Sequence, residues 1–192
     1  MSPILGRLRI FDTPRNTAPR RRYRPSADGR WRMPARAADA PNSVILWSGP
    51  SPYDGAPIAL VVSGLKRRST NGKTSGGLLQ TWIVPLGVSP EVAVRTGQDA
   101  AVCGGCPHRP VNGGTCYVLT FQGPRSVVAG LARGGSWADL SERASTWNMA
   151  YLADTLARNP RLGVRWGAWG DPGMLPLALV ERIDALRGPR SK

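Results

Sequence analysis

Apolar residues fall in short β-branched blocks in the first half of the chain and at helical spacing in the second. SVILWSG (43–49), PIALVVSG (57–64) and LLQTWIVP (78–85) are bounded by Gly, Pro and Asp. Each reads as a strand, because Val, Ile and aromatic side chains pack on a pleated surface while Gly and Pro end it. GPSPYDGA, between the first two, is a turn-rich link. In SPEVAVRTG (89–97) the period changes: Ser precedes Pro and a Gly closes the run, the start and stop of a short helix. CYVLTF (116–121) predicts a fourth strand. PRSVVAGLARG (124–134), SWADLSERA (136–144) and STWNMAYLADTLARN (145–159) predict helices, the last placing Trp147, Tyr151, Leu152 and Leu156 on one face. GVRWGAWG (163–170) reads as another strand. Asp171-Pro172 then offers an N-cap and a first-turn proline for a final helix to about Leu186. Strands that come first and then alternate with helices predict an α/β or α+β fold, a mixed sheet of about five strands with three to four helices.

The chain has 192 residues, 41% of them hydrophobic, with 23 Gly and 18 Pro, enough apolar content for one core interrupted by many turns. The longest apolar run, Ile58 to Val62, is far too short to cross a bilayer. The first residues, MSPILGRLRIFDTP, lack the apolar stretch of a secretory signal. A cytoplasmic protein without a membrane partner is expected. Charge changes the picture more. The net charge is +14, and residues 1–41 carry half of it, with ten Arg against three Asp. Prolines and sparse apolar residues make 1–42 a disordered basic leader, followed by one domain over 43–192. Within the leader, Arg20, Arg21 and Arg22 lie beside Tyr23, with Trp31 further on. Such a segment suits phosphates and stacked bases. An excess of this size points to a polyanionic partner, nucleic acid first.

A second basic stretch, LKRRSTNGKTSGG (65–77), follows a predicted strand. Gly72-Lys73-Thr74 imitates a phosphate-binding P-loop, but that motif needs Gly where Arg67 stands, and no helical run follows. Two readings remain, a plain basic hairpin loop or a phosphate-contacting loop built on Lys66, Arg67, Arg68 and Lys73.

All three cysteines and the single histidine fall in CGGCPHRPVNGGTCY (103–117). Cys103 and Cys106 have the C-x2-C spacing that lets two thiolates of one turn face one ion. Gly104 and Gly105 between them free the backbone N–H groups to turn toward sulfur. Cys116 returns after a Pro- and Gly-rich excursion that contains His108. Cys103, Cys106, His108 and Cys116 would make a tetrahedral zinc set, since Zn2+ takes S and N donors alike. An iron–sulfur cluster on the three cysteines is the alternative, with zinc preferred. Three thiols acting as small apolar residues is the third reading, and the Gly, Pro, Asn and Arg around them weigh against it.

VVSGLKRRSTNGKTSGGLLQTWIV, CGGCPHR…CYV and VRWGAWGDPGMLPLALVERI together resemble an uncharacterised protein family encoded by phages and prophages, over about residues 43–186. More loosely, the cysteines with Cys116-Tyr117 and the later GD resemble phage proteins regarded as radical-SAM-like barrels. The resemblance implies a bacterial host cell. Because family members continue past the GDP helix with further strands, it also implies a barrel left incomplete here. If His108 binds metal, the groups left for chemistry are Asp171 at a strand end, Tyr117 and Arg165. Of Trp166 and Trp169, one belongs to the core and the other lines a pocket. Three functions follow: a metal-stabilised nucleic-acid-contacting protein of a mobile element, an iron–sulfur or zinc enzyme acting on nucleic acid or a nucleotide precursor, and a basic structural or interaction protein.

Overall fold

The computed structural model describes residues 41–66, 77–132, 140 and 142–187. The leader up to residue 40, with Arg20, Arg21 and Arg22, lies outside the described residues, as do Arg67, Arg68 and Lys73. Among the described residues the fold is mixed α/β. One four-stranded sheet has the order β1 (Ser43–Pro50), β2 (Pro57–Ser63), β3 (Leu78–Pro85), β4 (Gly163–Trp169). β1, β2 and β3 are joined antiparallel in turn, and β4 lies parallel to β3. The helices are α1 (Pro90–Thr96), α2 (Ala100–Cys103), α3 (Gly123–Ala132), α4 (Glu142–Arg158) and α5 (Leu177–Ala185). The sheet is open, so the described residues form no closed barrel.

Two elements differ from the sequence reading. CYVLTF is not a strand; it is coil and turn leading into α3. Both edges of β3 are already taken, by β2 and β4, which leaves that run no slot beside the central strand. Tyr117, Leu119 and Phe121 are exposed, and only Val118 of its apolar side chains packs partly against the core. The expected helix break near Ala144–Ser145 is also missing. Within α4 the Thr146 hydroxyl donates to the Glu142 carbonyl at 2.9 Å, satisfying itself on the preceding turn.

β2 forms the centre of the core. Its residues Ile58, Ala59, Leu60, Val61 and Val62 are fully buried, which matches an unbroken apolar run covered on both faces. Burying each larger aliphatic side chain contributes about 1.5–3 kcal/mol relative to exposure. α4 covers β1, and a buried amide joins them. Asn148 Nδ2 donates to the Ile45 carbonyl at 2.6 Å, at the point where the β1–β2 register shifts between Ile45 and Trp47. Asn148 thus gives the Ile45 carbonyl a side-chain donor where the strand pairing is irregular.

A second bulge aims the end of β4. The β3–β4 register shifts between Gln80 and Trp82, which face Arg165 and Trp169. Thr81 sits inside the gap, donating its hydroxyl to the Arg165 carbonyl at 3.1 Å and accepting the Gly167 N–H at 3.0 Å. Past the bulge Trp169 enters the core, while half-buried Trp166 donates its indole N–H to Asp184 of α5 at 3.4 Å.

The strand directions give the sheet two chemically distinct ends. At one end lie the β1–β2 turn with Tyr53, the C-terminus of β3 leading to α1 and α2, and the C-terminus of β4 leading to Asp171. At the other end lie the start of β1, the point where β2 leaves toward Lys66, and the start of β4 after Arg161. β3 spans eight residues between them, about 25 Å at the usual strand rise.

Candidate metal centre

The cysteine loop is attached to the first of these ends by two short helices. α1 is built as its sequence predicts: the Ser89 hydroxyl accepts the Val92 N–H at 3.3 Å, Pro90 opens the helix and Gly97 closes it. One turn later α2 ends on Cys103, whose N–H donates to the Asp99 carbonyl at 2.9 Å. Cys106 then donates its N–H to the Cys103 carbonyl at 3.3 Å. This turn keeps the two cysteines of C-x2-C side by side.

Gly104 makes the turn possible. Its φ is 55° with ψ −140°, and an added Cβ would stand 3.1 Å from Met174 Cε and 3.8 Å from the Tyr53 ring. Only a residue without a side chain takes that backbone and admits those neighbours. The loop is therefore roofed by Met174 from after β4 and Tyr53 from the β1–β2 turn.

The connection after β4 is held to the same place. Asp171 donates its N–H to the Val102 carbonyl at 2.6 Å. Gly170, at φ 83°, lies so close to Ile83 and Val102 that a Cβ would meet the Ile83 carbonyl oxygen at 2.7 Å. The Asp171 side chain accepts the Gly173 N–H at 2.8 Å and caps a 3-10 turn over Pro172–Met174; α5 begins only afterwards, behind Pro176. Asp171 thus caps a short turn and not the last helix itself, because Pro176 restarts the helical path.

Cys103 is partly buried and free of any disulfide. Burial pushes its thiol from the ordinary 9.0 up to about 12, and the Asp99 carboxylate and the thiols of Cys116 and Cys106 push the same way, against the opposing Arg109 guanidinium. Cys106 and Cys116 thus each lie within electrostatic reach of Cys103, in surroundings that disfavour its bare anion. A bound cation reverses that balance, since a coordinated thiol gives up its proton. The donors are soft sulfurs in a loop, which fits zinc or an iron–sulfur cluster and not a hard cation. Among the described residues, no three His, Cys, Asp or Glu side chains stand as a closed ligand cage. Cys116 is exposed and His108 points its exposed side chain outward from a loop whose backbone packs against Gly114.

The other candidates are spread out. Tyr117 follows Cys116 and is 76% exposed. Arg165 sits three residues into β4, opposite Gln80 and on the far side of the bulge from Asp171. Asp171, Tyr117 and Arg165 are therefore not one constellation, and only Asp171 is tied to the cysteine helix. Lys66 donates its N–H to Asn42 Oδ1 at 3.1 Å at the opposite end of the sheet.

Sequence reasoning missed two residues here, Arg109 and Asp99. Both are buried, and the guanidinium grips the carboxylate through Nε to Oδ2 at 3.1 Å and Nη2 to Oδ1 at 2.7 Å. The available signal was a lone acid one turn before Cys103 and a lone arginine inside a Gly- and Pro-rich loop. Comparison of the chain with protein-family models, with curated proteins and with solved structures yields no match in any of the three.

Proposed function

We propose that this is a phage- or prophage-borne protein in which a zinc or iron–sulfur centre holds one end of an α/β domain while the basic other end contacts nucleic acid. The mobile-element assignment rests on the resemblance of the three sequence blocks. Cys103, Cys106 and Cys116 would hold the metal, with His108 completing a zinc set. A metal there would serve shape, closing a loop that is short of apolar burial.

One observation carries the nucleic-acid part. The two basic segments of the sequence attach at the same end of the sheet. Asn42, where the leader joins the domain, accepts the Gly64 and Leu65 N–H groups on its carbonyl at 3.0 and 3.1 Å, and Lys66 binds its side chain. Exposed Arg161 lies at that end too, just before β4, with Arg158 paired to Asp154 one turn earlier. Basic segments that join the domain at one end would act together on one polyanion. Phosphate contact predicts that the logarithm of affinity falls with the logarithm of salt by about 0.9 per contacted phosphate on duplex DNA. Joint replacement of Lys66, Arg67, Arg68 and Lys73 by Ala should weaken DNA and RNA binding for all sequences alike and flatten that slope. Absence of salt-dependent binding by the intact protein at low ionic strength would favour a basic structural or interaction protein instead.

The enzyme reading has its own observation. The cysteine loop and Asp171 share the C-terminal edge of the parallel pair β3 and β4, the usual place for chemistry in α/β folds. On that reading Asp171 moves the proton at a nucleic-acid or nucleotide substrate, with Tyr117 at the rim. The metal would supply Lewis-acid or redox chemistry. Colour separates the centres: an iron–sulfur protein purified without oxygen is brown and a zinc protein colourless.

A further inference from the structure

We propose that Arg109 is the positioning residue of the cysteine site, fixing the Cys103–Cys106 turn in the form that receives the ion; the inference rests on the metal reading above. Arg109 lies in a stretch whose other members, His108, Pro110, Val111, Asn112 and Gly113, are all exposed. Its own side chain is only 8% exposed and that of Asp99 only 3%. An arginine turned inward from a surface loop needs a reason, because removing two charges from water costs more than an apolar pair would.

The hydrogen bonds supply that reason. Besides the two-pronged grip on Asp99, Nη2 donates to the Gly97 carbonyl at 2.7 Å and Nη1 to the Gly104 carbonyl at 3.3 Å. One planar group thus joins the end of α1, the start of α2 and the residue that follows Cys103. The main chain of Arg109 adds the other side: its N–H donates to the Cys106 carbonyl at 3.3 Å, and its own carbonyl accepts from Asn112 and Gly114 at 2.9 and 3.0 Å. The turn between the two thiols is therefore clamped from before and after. The loop that returns the chain toward Cys116 is anchored at the same residue. A lysine has one point charge and no fork, so it can face Asp99 without spanning these carbonyls.

The test uses the full chain, with Co2+ as a coloured probe and Zn2+ in competition. Groups that orient metal ligands typically contribute about 10–100-fold in affinity. Arg109→Gln and Arg109→Lys should each lower Co2+ affinity at least about tenfold on that scale and shift the thiolate-to-cobalt band. Arg109→Lys should keep the wild-type helix content, since it leaves the buried Asp99 with a cation. Co2+ affinity and band unchanged in a folded Arg109→Lys protein would overturn the positioning role while leaving the metal site standing. A wild-type protein that takes up neither ion and, purified without oxygen, holds no iron would overturn the metal reading itself, and this inference with it.

Discussion

Asp171 donates its backbone N–H to the Val102 carbonyl at 2.6 Å, joining the turn after β4 to the helix that ends on Cys103. The bond ties together two connections far apart in sequence, at the end of the sheet where β3 and β4 both finish. Through it, the shape of the cysteine loop depends on the last strand.

Asp171 gives the first prediction. Its side chain caps the turn over Pro172–Met174, and loss of such a cap costs about 1 kcal/mol. Asp171→Ala should lower the thermal midpoint by about 2–4 °C for a chain of this size. Asp171→Asn caps equally well and should restore it. An activity that Asn fails to restore, with stability regained, would mark the carboxylate as chemical.

Gly170 gives the second. At φ 83°, with Ile83 2.7 Å from where a Cβ would stand, it has room for no side chain. Gly170→Ala should destabilise by about 1–3 kcal/mol from crowding, measured by urea unfolding. A neutral result would mean that the β4 terminus shifts freely, contrary to its bond with Val102.

Asn148 gives the third, away from the site. Replacing it with Leu removes the side-chain donor to the buried Ile45 carbonyl at the β1 bulge, a loss of about 1–3 kcal/mol. Calorimetry should show a clear drop in midpoint. No drop would show that the bulge carbonyl finds another donor.

The leader gives the fourth. Deleting residues 1–40 removes ten Arg and three Asp, half of the net charge. It should flatten the salt dependence of nucleic-acid binding without abolishing it. The thermal midpoint should hold, because Tyr151 binds the Pro41 carbonyl, which the deletion keeps. A large fall in midpoint would show that the leader packs on the domain.

Local signals explain which elements were legible. α1 could be read residue by residue, since Ser89, Pro90 and Gly97 perform the roles their chemistry suggests. β2 was legible because five consecutive apolar residues need cover on both faces. CYVLTF was misread because β propensity describes a strand's surface and not whether a neighbour is free to pair. Nothing local shows that β4, from the far end of the chain, takes the place beside β3. The cysteines became candidates through spacing alone. Arg109 did not, because burial of a charge depends on Asp99, Gly97 and Gly104 meeting it in three dimensions.

The most direct measurement is the metal content of the protein purified without oxygen, combined with alkylation of its thiols. One equivalent of zinc, or iron with matching sulfide, is predicted, with Cys103, Cys106 and Cys116 protected until a chelator or oxygen removes the metal. Any one Cys→Ser substitution should release it and lower stability markedly, and His108→Ala should weaken a zinc site but spare an all-cysteine cluster. A protein holding neither zinc nor iron, with all three thiols freely alkylated in the folded state, would contradict the account.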